Sequence, residues 1–472
     1  MRSSIVALVT LAALSACKQA PAGNPPTPAR DTTAASAGMG GISIPNADPF
    51  PSTYVRTPAA PFVIRNVNVM TAAGPTIRNG AVAVVDGKIV AVGQTVDAPA
   101  GAVVIDGGGK YLTPGIIDVH SHLGVYAAPG VNALSDGNEA TNPSTPYVWA
   151  EHSVWPQDPQ FPRNLAGGVT TLQVLPGSAN LIGGRSVVLK VVPSRTVQGM
   201  KFPGAKYGLK MACGENPKRN YGEQHQSPAT RMGSLAGFRQ AFIEAQDYGR
   251  QLDKAVKDPK SGPVKRDLKL ETLAGVLKGD IRVHVHCYRA DDMATMLDLA
   301  DEFGFHIAAF HHGVEAYKIA DQLGAKGVCA ALWADWWGFK MEAFDGIQEN
   351  LAFVDHARNG CAIVHSDSAQ GIQRLNQEAA KAMARGVSMG FAIPPERAIR
   401  WLTSNPARAL GLGDRIGSLE VGKMADAVIW SRDPFSVYAL ADQVFIDGVL
   451  LFDRQHPAAQ PRSDFKVGQG TP

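Results

Sequence analysis

His120, Ser121 and His122 close the apolar run Tyr111-Leu112-Thr113-Pro114-Gly115-Ile116-Ile117-Asp118-Val119, and no other feature constrains the chain as tightly. Successive side chains on a strand point to opposite faces, so His120 and His122 share one face. Two neutral imidazoles converging on one point suit a divalent cation. Thr113-Pro114-Gly115 reads as a turn that launches a buried strand.

The full stretch resembles the "TPGxIDxHxH" segment of the amidohydrolase superfamily. That resemblance implies an α/β fold: a (β/α)8 barrel whose first strand carries the histidine pair and whose metal site assembles at the strand ends. Residues 115–415 alternate short apolar strands, such as Gly168 to Val174, with amphipathic helices, such as Ala290 to Glu302, as a barrel requires. Later motifs match in order. Tyr207 to Glu215 resembles a fourth-strand "IKxxA" run, making Lys210 a candidate carbamate that bridges two metals, with Glu215 as the alternative bridge. A buried amine near cations loses its proton readily, which carbamate formation needs. In Ile281 to Asp292, similar to "HAHRADD", His286 is the implied ligand, and His284 shares its face as a supporting or substrate-contacting residue. Phe310-His311-His312-Gly313 resembles the sixth-strand "EHG", making His312 a ligand and placing His311 where an acid is usual. Ala362 to Ser368 ends a buried strand in Asp367, the implied metal-binding general base and acid. His284 and His365 are the alternatives for that proton role. The implied cofactor is one or two divalent ions, with zinc the first candidate.

The ends of the chain carry a different pattern. Residues 61–70 alternate, and Asp86-Gly87 between alternating runs signals a hairpin. A matching element returns in Gly417 to Trp430 and Gln443 to Val449. The expected organisation is therefore a discontinuous β-sandwich from residues 60–114 and 416–456, built around the barrel. Asp426, in "GxIxxGKxADxVxW", reads as structural.

The N-terminus reads as an export signal. Met1-Arg2, an apolar core from Ile5 to Leu14, and Leu14-Ser15-Ala16-Cys17 resemble a bacterial lipoprotein signal cleaved before an acylated cysteine. The apolar stretch is too short to span a membrane. Residues 17–59, rich in Pro, Ala, Gly, Thr and Ser, read as a disordered tether. The expected location is the cell envelope, lipid-anchored through Cys17 at the periplasmic or outer-membrane surface. With 45 basic against 42 acidic side chains, nothing points to nucleic acid. Cys17, Cys213, Cys287, Cys329 and Cys361 show no metal spacing and no disulfide framework. Oligomeric state is left open.

On the substrate side, Gly167 to Thr171 followed by Leu175 to Gly184 resembles the imidazolonepropionase-like branch, with the second segment a loop at the catalytic rim. Arg219 and Arg231 are candidates to clamp a substrate carboxylate, and Tyr221 to polarise a carbonyl. The expected activity is hydrolysis of a C–N bond in a small molecule, an amide, cyclic amide or dipeptide. An ester, lactone or phosphotriester would use the same site. A non-catalytic, solute-binding lipoprotein would be expected to have lost a ligand or Asp367, and none is lost.

Overall fold

The computed structural model describes residues 48–456 except 337, together with residue 458; Cys17 and the signal segment lie outside the described residues. Strands β1 (Phe62–Val69), β2 (Ile77–Val85), β3 (Lys88–Gly93), β4 (Val103–Asp106) and β5 (Tyr111–Pro114) open the chain. The barrel follows with β6 (Ile116–Ser121), β7 (Val169–Val174), β8 (Ile182–Lys190), β9 (Gly208–Ala212), β10 (Arg282–Cys287), β11 (Ile307–His312), β12 (Cys329–Leu332) and β13 (Ala362–Val364). β14 (Ala427–Trp430), β15 (Ala441–Ile446) and β16 (Val449–Asp453) complete the strands. Among the described residues, no helix is long and apolar enough to cross a membrane.

Both chain ends enter one eight-stranded sheet, in the order β16-β15-β14-β5-β1-β2-β3 with β4 on β1. The expectation was a sandwich of two facing sheets. What forms instead is one continuous sheet that curls on itself. β1 and β15 stand three positions apart, about 14 Å in a flat sheet at ~4.8 Å per strand. Yet the rings of Phe62 and Phe445 stack with centroids 5.1 Å apart. The curl closes a core of Phe62, Ile64, Val82, Leu112, Ile429 and Phe445. Asp86-Gly87, at φ 49° and 74°, makes the tight hairpin joining β2 to β3.

Gly115 is the hinge between this sheet and the barrel. A Cβ there would lie 2.1 Å from Thr170 Oγ1, so only glycine lets β5 leave one sheet and β6 enter the other.

The barrel strands run in the order β13-β12-β11-β10-β9-β8-β7-β6. β9 to β13 pair in parallel, as do β6 and β7, but β8 runs antiparallel to both neighbours. This departs from the all-parallel barrel expected from sequence. Only residues 175–181 join β7 to β8, too few for the helical crossover that parallel strands need. Where β13 meets β6, hydrogen bonds from Ser366 and Asp367, just after β13, close the ring. Ser366 Oγ donates to Asp118 Oδ2 at 2.5 Å, His120 N donates to Asp118 Oδ1 at 3.1 Å, and Asp367 N donates to His120 O at 3.2 Å.

Two disulfides correct the reading of the cysteines. Cys213 bonds Cys287 and Cys329 bonds Cys361, with Cα–Cα distances of 5.3 and 4.5 Å. The partners are 74 and 32 residues apart in the chain. They meet because β9 neighbours β10 and β12 neighbours β13, a proximity set by barrel register rather than sequence spacing.

Residues 48–59, expected as the end of a disordered tether, are fastened to the body. Thr53 N donates to Gln198 O at 2.9 Å, and Lys201 Nζ reaches Asp48 Oδ2 at 2.7 Å and Glu151 Oε2 at 2.9 Å. Tyr54 Oη donates to Asp447 Oδ2 at 2.6 Å. That aspartate and Asp426 face Lys190 Nζ at 3.0 and 3.6 Å, all three buried. Asp426 is thus a structural partner, as its motif suggested.

Candidate active site

Barrel strands covered on both faces are buried throughout, and their alternation sorts inward from outward side chains. On β10, Val283 and Val285 pack into the outer core, which leaves His284 and His286 on the other face. On β11, Phe310 joins the outer core and His311 faces inward. Strict alternation would then turn His312 outward. It does not, because His312 adopts φ 73°, and its ring lies 4.5 Å from His286, 4.7 Å from His120 and 5.0 Å from His365, centroid to centroid. Asp367 also has positive φ, 54°. Non-glycine residues held there cost of order 1–3 kcal/mol, and they cluster where function over-determines the backbone.

The inward side chains converge. His120 Nε2 lies 3.3 Å from His122 Nε2, and Asp367 Oδ1 is 3.4 and 3.2 Å from those two nitrogens. His122 Nδ1 bonds the Leu175 carbonyl at 2.9 Å, which aims its other nitrogen at the cluster. His120, His312 and His365 form a second set whose ligand atoms lie within 4.8 Å of one another. His365 is the residue that sequence reasoning held only in reserve. Its spacing two before Asp367, at the end of β13, is the signal that places both on one side.

Lys210 sits on β9 in register with His284 and is fully enclosed, with Nζ donating to Pro176 O at 3.1 Å. Burial pushes its amine down to about 8, the Asp367 carboxylate opposing. Burial likewise holds His120, His286, His311 and His312 well below the ordinary imidazole range. Burial alone would raise Asp367; the His122 hydrogen bond and the surrounding imidazoles outweigh it and hold the carboxyl low. Glu215, the alternative bridge, opens the helix Glu215–Gly222 and faces Lys340 Nζ at 3.4 Å.

Several imidazole nitrogens in this cluster are buried without a hydrogen-bond partner: both of His286 and of His365, Nδ1 of His312 and Nε2 of His284. Buried polar atoms are ordinarily satisfied, so a cluster of orphans marks a place built for something else. A divalent cation fits the donor set of neutral imidazoles and a carboxylate. The amidohydrolase family profile matches residues 111–451, which contain every one of these side chains.

The chain belongs to the amidohydrolase family.

It is an enzyme that hydrolyses C–N bonds. A crystal structure of an amidohydrolase from Thermotoga maritima MSB8 superposes with a TM-score of 0.76 at 38% identity, covering 83% of this chain and all of that one. The amidohydrolase tasK of Hapsidospora irregularis is 34% identical over 82% of this chain; the match spans 40% of the length of that relative. The imidazolonepropionase of Stenotrophomonas maltophilia (strain R551-3) is 26% identical over 78% of this chain and 90% of its own.

The substrate-side residues of this amidohydrolase fall differently from expectation. Tyr221 is fully buried, and its hydroxyl is engaged by Asn180 Nδ2 at 3.1 Å and donates to Asn142 O at 2.8 Å, which pins the loop at 138–145. Arg231 spans Asp292, with Nε 3.0 and 3.1 Å from its two oxygens, and Glu342. Both therefore brace the structure rather than face a substrate. Arg219 is exposed on the helix Glu215–Gly222. His284 bonds His311 inside the barrel, out of reach of a substrate at the rim. The walls nearest His312 are aromatic instead. Trp333 and Tyr288 lie 4.4 and 5.3 Å from its ring, and a cavity beside it is lined by Val314, Trp333, Trp336 and Ile347.

Proposed function

We propose that this amidohydrolase is metal-dependent and cleaves an amide, cyclic amide or dipeptide bond, with His120, His122, His286, His312 and Asp367 as metal ligands and Lys210 bridging as a carbamate. The observation that carries the reading is the set of buried imidazole nitrogens without partners on His286, His312 and His365, gathered around Asp367. One or two divalent ions fit, zinc first; when bound, they supply Lewis acidity toward a water and the scissile carbonyl. Lys210 is favoured over Glu215 because it is enclosed among the histidines, whereas Glu215 is occupied by Lys340. Asp367, ionised and 3.2 Å from His122 Nε2, accepts a proton from the attacking water at its carboxylate and returns it to the leaving nitrogen. His120 and His122 hold that carboxylate in place, and the aromatic wall of Tyr288 and Trp333 keeps bulk water from the His312 side.

The reading includes the cell envelope as the location, with Cys17 as the lipid anchor. Two disulfides in a chain with an export-like N-terminus support it, since thiols in the cytosol are kept reduced.

The test is Asp367→Asn, with metal content measured on the same sample and activity screened over dipeptides, N-acyl amino acids, cyclic imides and lactones. Loss of the base should lower kcat by about two to four decades with little change in KM. A metal-replete variant with near-normal kcat would sink the assignment.

A further inference from the structure

Both ring nitrogens of His311 are taken by other histidines. Its Nδ1 lies 2.9 Å from His120 Nδ1, and its Nε2 lies 2.9 Å from His284 Nδ1. All three rings are 0–1% exposed, so they exchange these bonds with each other and not with solvent. A neutral imidazole has one N–H and one lone pair, and a bond between two such rings needs one of each. The three tautomers are therefore locked together, and only two arrangements satisfy both bonds.

In the first, His120 carries its proton on Nδ1 and donates it to His311. His311 then holds its own proton on Nε2 and donates to His284 Nδ1, leaving His284 protonated on Nε2. His120 Nε2 is then a bare lone pair, facing His122 Nε2 and Asp367 Oδ1 at 3.3 and 3.4 Å. In the second, every proton moves to the other nitrogen, and His120 presents an N–H to that cluster. Such a ring cannot ligate a metal.

The near end of the chain favours the first arrangement: His120 stands with His122 and Asp367 in a group whose ligand atoms lie within 4.8 Å of one another, and a cation there needs the lone pair that only this arrangement leaves on His120 Nε2. His284 Nε2 has no protein partner, and neither has Gln173 Oε1, an acceptor. Both side chains pack around the α-carbon of Gly208: a Cβ there would lie 2.9 Å from His284 Cδ2 and 2.8 Å from Gln173 Nε2. The Gln173 atom placed there is its amide nitrogen, which donates to Ser186 Oγ at 2.7 Å, so this far end of the chain does not distinguish the two arrangements.

We propose that His311 and His284 are positioning residues that hold His120 in its Nδ1–H tautomer, so that its Nε2 lone pair stays available to the metal centre. The inference rests on the metal-dependent reading above. It gives a neutral base, His311, the task that a carboxylate performs for many metal-bound histidines. It also explains why two consecutive inward histidines are worth the positive φ at His312: His311 orients a ligand while His312 joins the cluster.

The experiment compares wild type with His311→Leu, His311→Asn and His284→Leu, each checked for folding by circular dichroism. Zinc affinity is read by competition with a chromophoric chelator, and ring tautomers by long-range 1H–15N correlation on 15N-histidine protein. His311→Leu should weaken zinc binding about 10- to 100-fold, the range for lost partners of metal-bound histidines. His311→Asn places an amide oxygen near the former Nδ1 and should restore most of the affinity. His284→Leu should weaken it less than His311→Leu. The NMR of the zinc-loaded wild type should show His311 and His284 protonated on Nε2. Equal zinc affinity in wild type and His311→Leu, no recovery in His311→Asn, or a proton on His311 Nδ1 in the loaded protein would overturn the inference alone. A wild type that binds no stoichiometric metal would overturn the underlying reading and the inference with it.

Discussion

Replacing Lys190 by Met removes the cation from a site that two carboxylates were folded to face. The Lys190 side chain is fully enclosed, with Nζ 3.0 Å from Asp447 and 3.6 Å from Asp426, whose side chains are only 6% and 4% exposed. Methionine fills similar space, so the expected loss is electrostatic: two buried acids without their partner. Breaking a buried pair this way costs about 3–5 kcal/mol. Unfolding entropy near 2.1 cal/mol/K per residue, over about 400 described residues, makes this a drop in Tm of about 4–6 °C. Calorimetry at neutral pH reads it directly. The sign of the pH dependence follows from Asp426, whose carboxyl is raised by burial first, with Lys190 the leading opposing influence. Without Lys190 it rises further, so the folded variant holds that proton more tightly than the unfolded chain. Stability from such a raised group is present at low pH and lost as pH climbs through the folded pKa. The deficit of Lys190→Met should therefore shrink toward pH 5 and grow above neutrality. The triple variant Lys190→Met, Asp426→Asn, Asp447→Asn should recover most of the loss. A single variant as stable as wild type, or a triple variant no better than the single, would refute the argument.

Lys210→Ala should lose activity and metal that short carboxylic acids partly restore, whereas Glu215→Ala should keep most of its metal; elemental analysis with activity rescue decides, and the reverse pattern would make Glu215 the bridge. A non-reducing peptide map should join Cys213 to Cys287 and Cys329 to Cys361, and Cys329→Ser with Cys361→Ser should cost about 3–4 kcal/mol by the chain-entropy estimate for a loop of that length. Gly208→Ala should destabilise the barrel measurably in urea unfolding, because its Cβ would sit 2.3 Å from Ser186 Oγ and press on Gln173 and His284. Cys17→Ala should release the enzyme from the membrane fraction or leave it as precursor, and unchanged association on fractionation would count against the lipid anchor.

The strand ends were legible because their chemistry and their periodicity coincide: His120 and His122 two apart, His286 after a hydrophobic alternation, Asp367 closing a buried run. The hairpin at Asp86-Gly87 was legible for the same reason, a local backbone demand met by local residue types. The reversed strand β8 was not, since Ile182-Gly183-Gly184 begins it without an apolar alternation and reads as loop. The disulfides and the commitments of Tyr221 and Arg231 were invisible because a residue type states what a side chain can do, not which neighbour the barrel brings to it. His311 shows the same limit at the centre of the site. Its presence where an acid is usual was plain, but its two histidine partners depend on β10 lying beside β11 and on β6 facing them across the barrel interior.

The fastening of residues 48–54 has a mechanical consequence. Gln198 and Lys201, which hold it, lie between the end of β8 and the start of β9, whereas the histidines stand at the opposite ends of β6, β10 and β11. Residues 48–54 are therefore fastened at the floor of the barrel, on the side away from the histidines. A pull on this segment would load the contacts of Asp48, Thr53 and Tyr54 before it reached any strand that carries a histidine. Trimming the chain back to residue 60 would leave Lys201 and Asp447 each short of a partner that residues 48–54 provide.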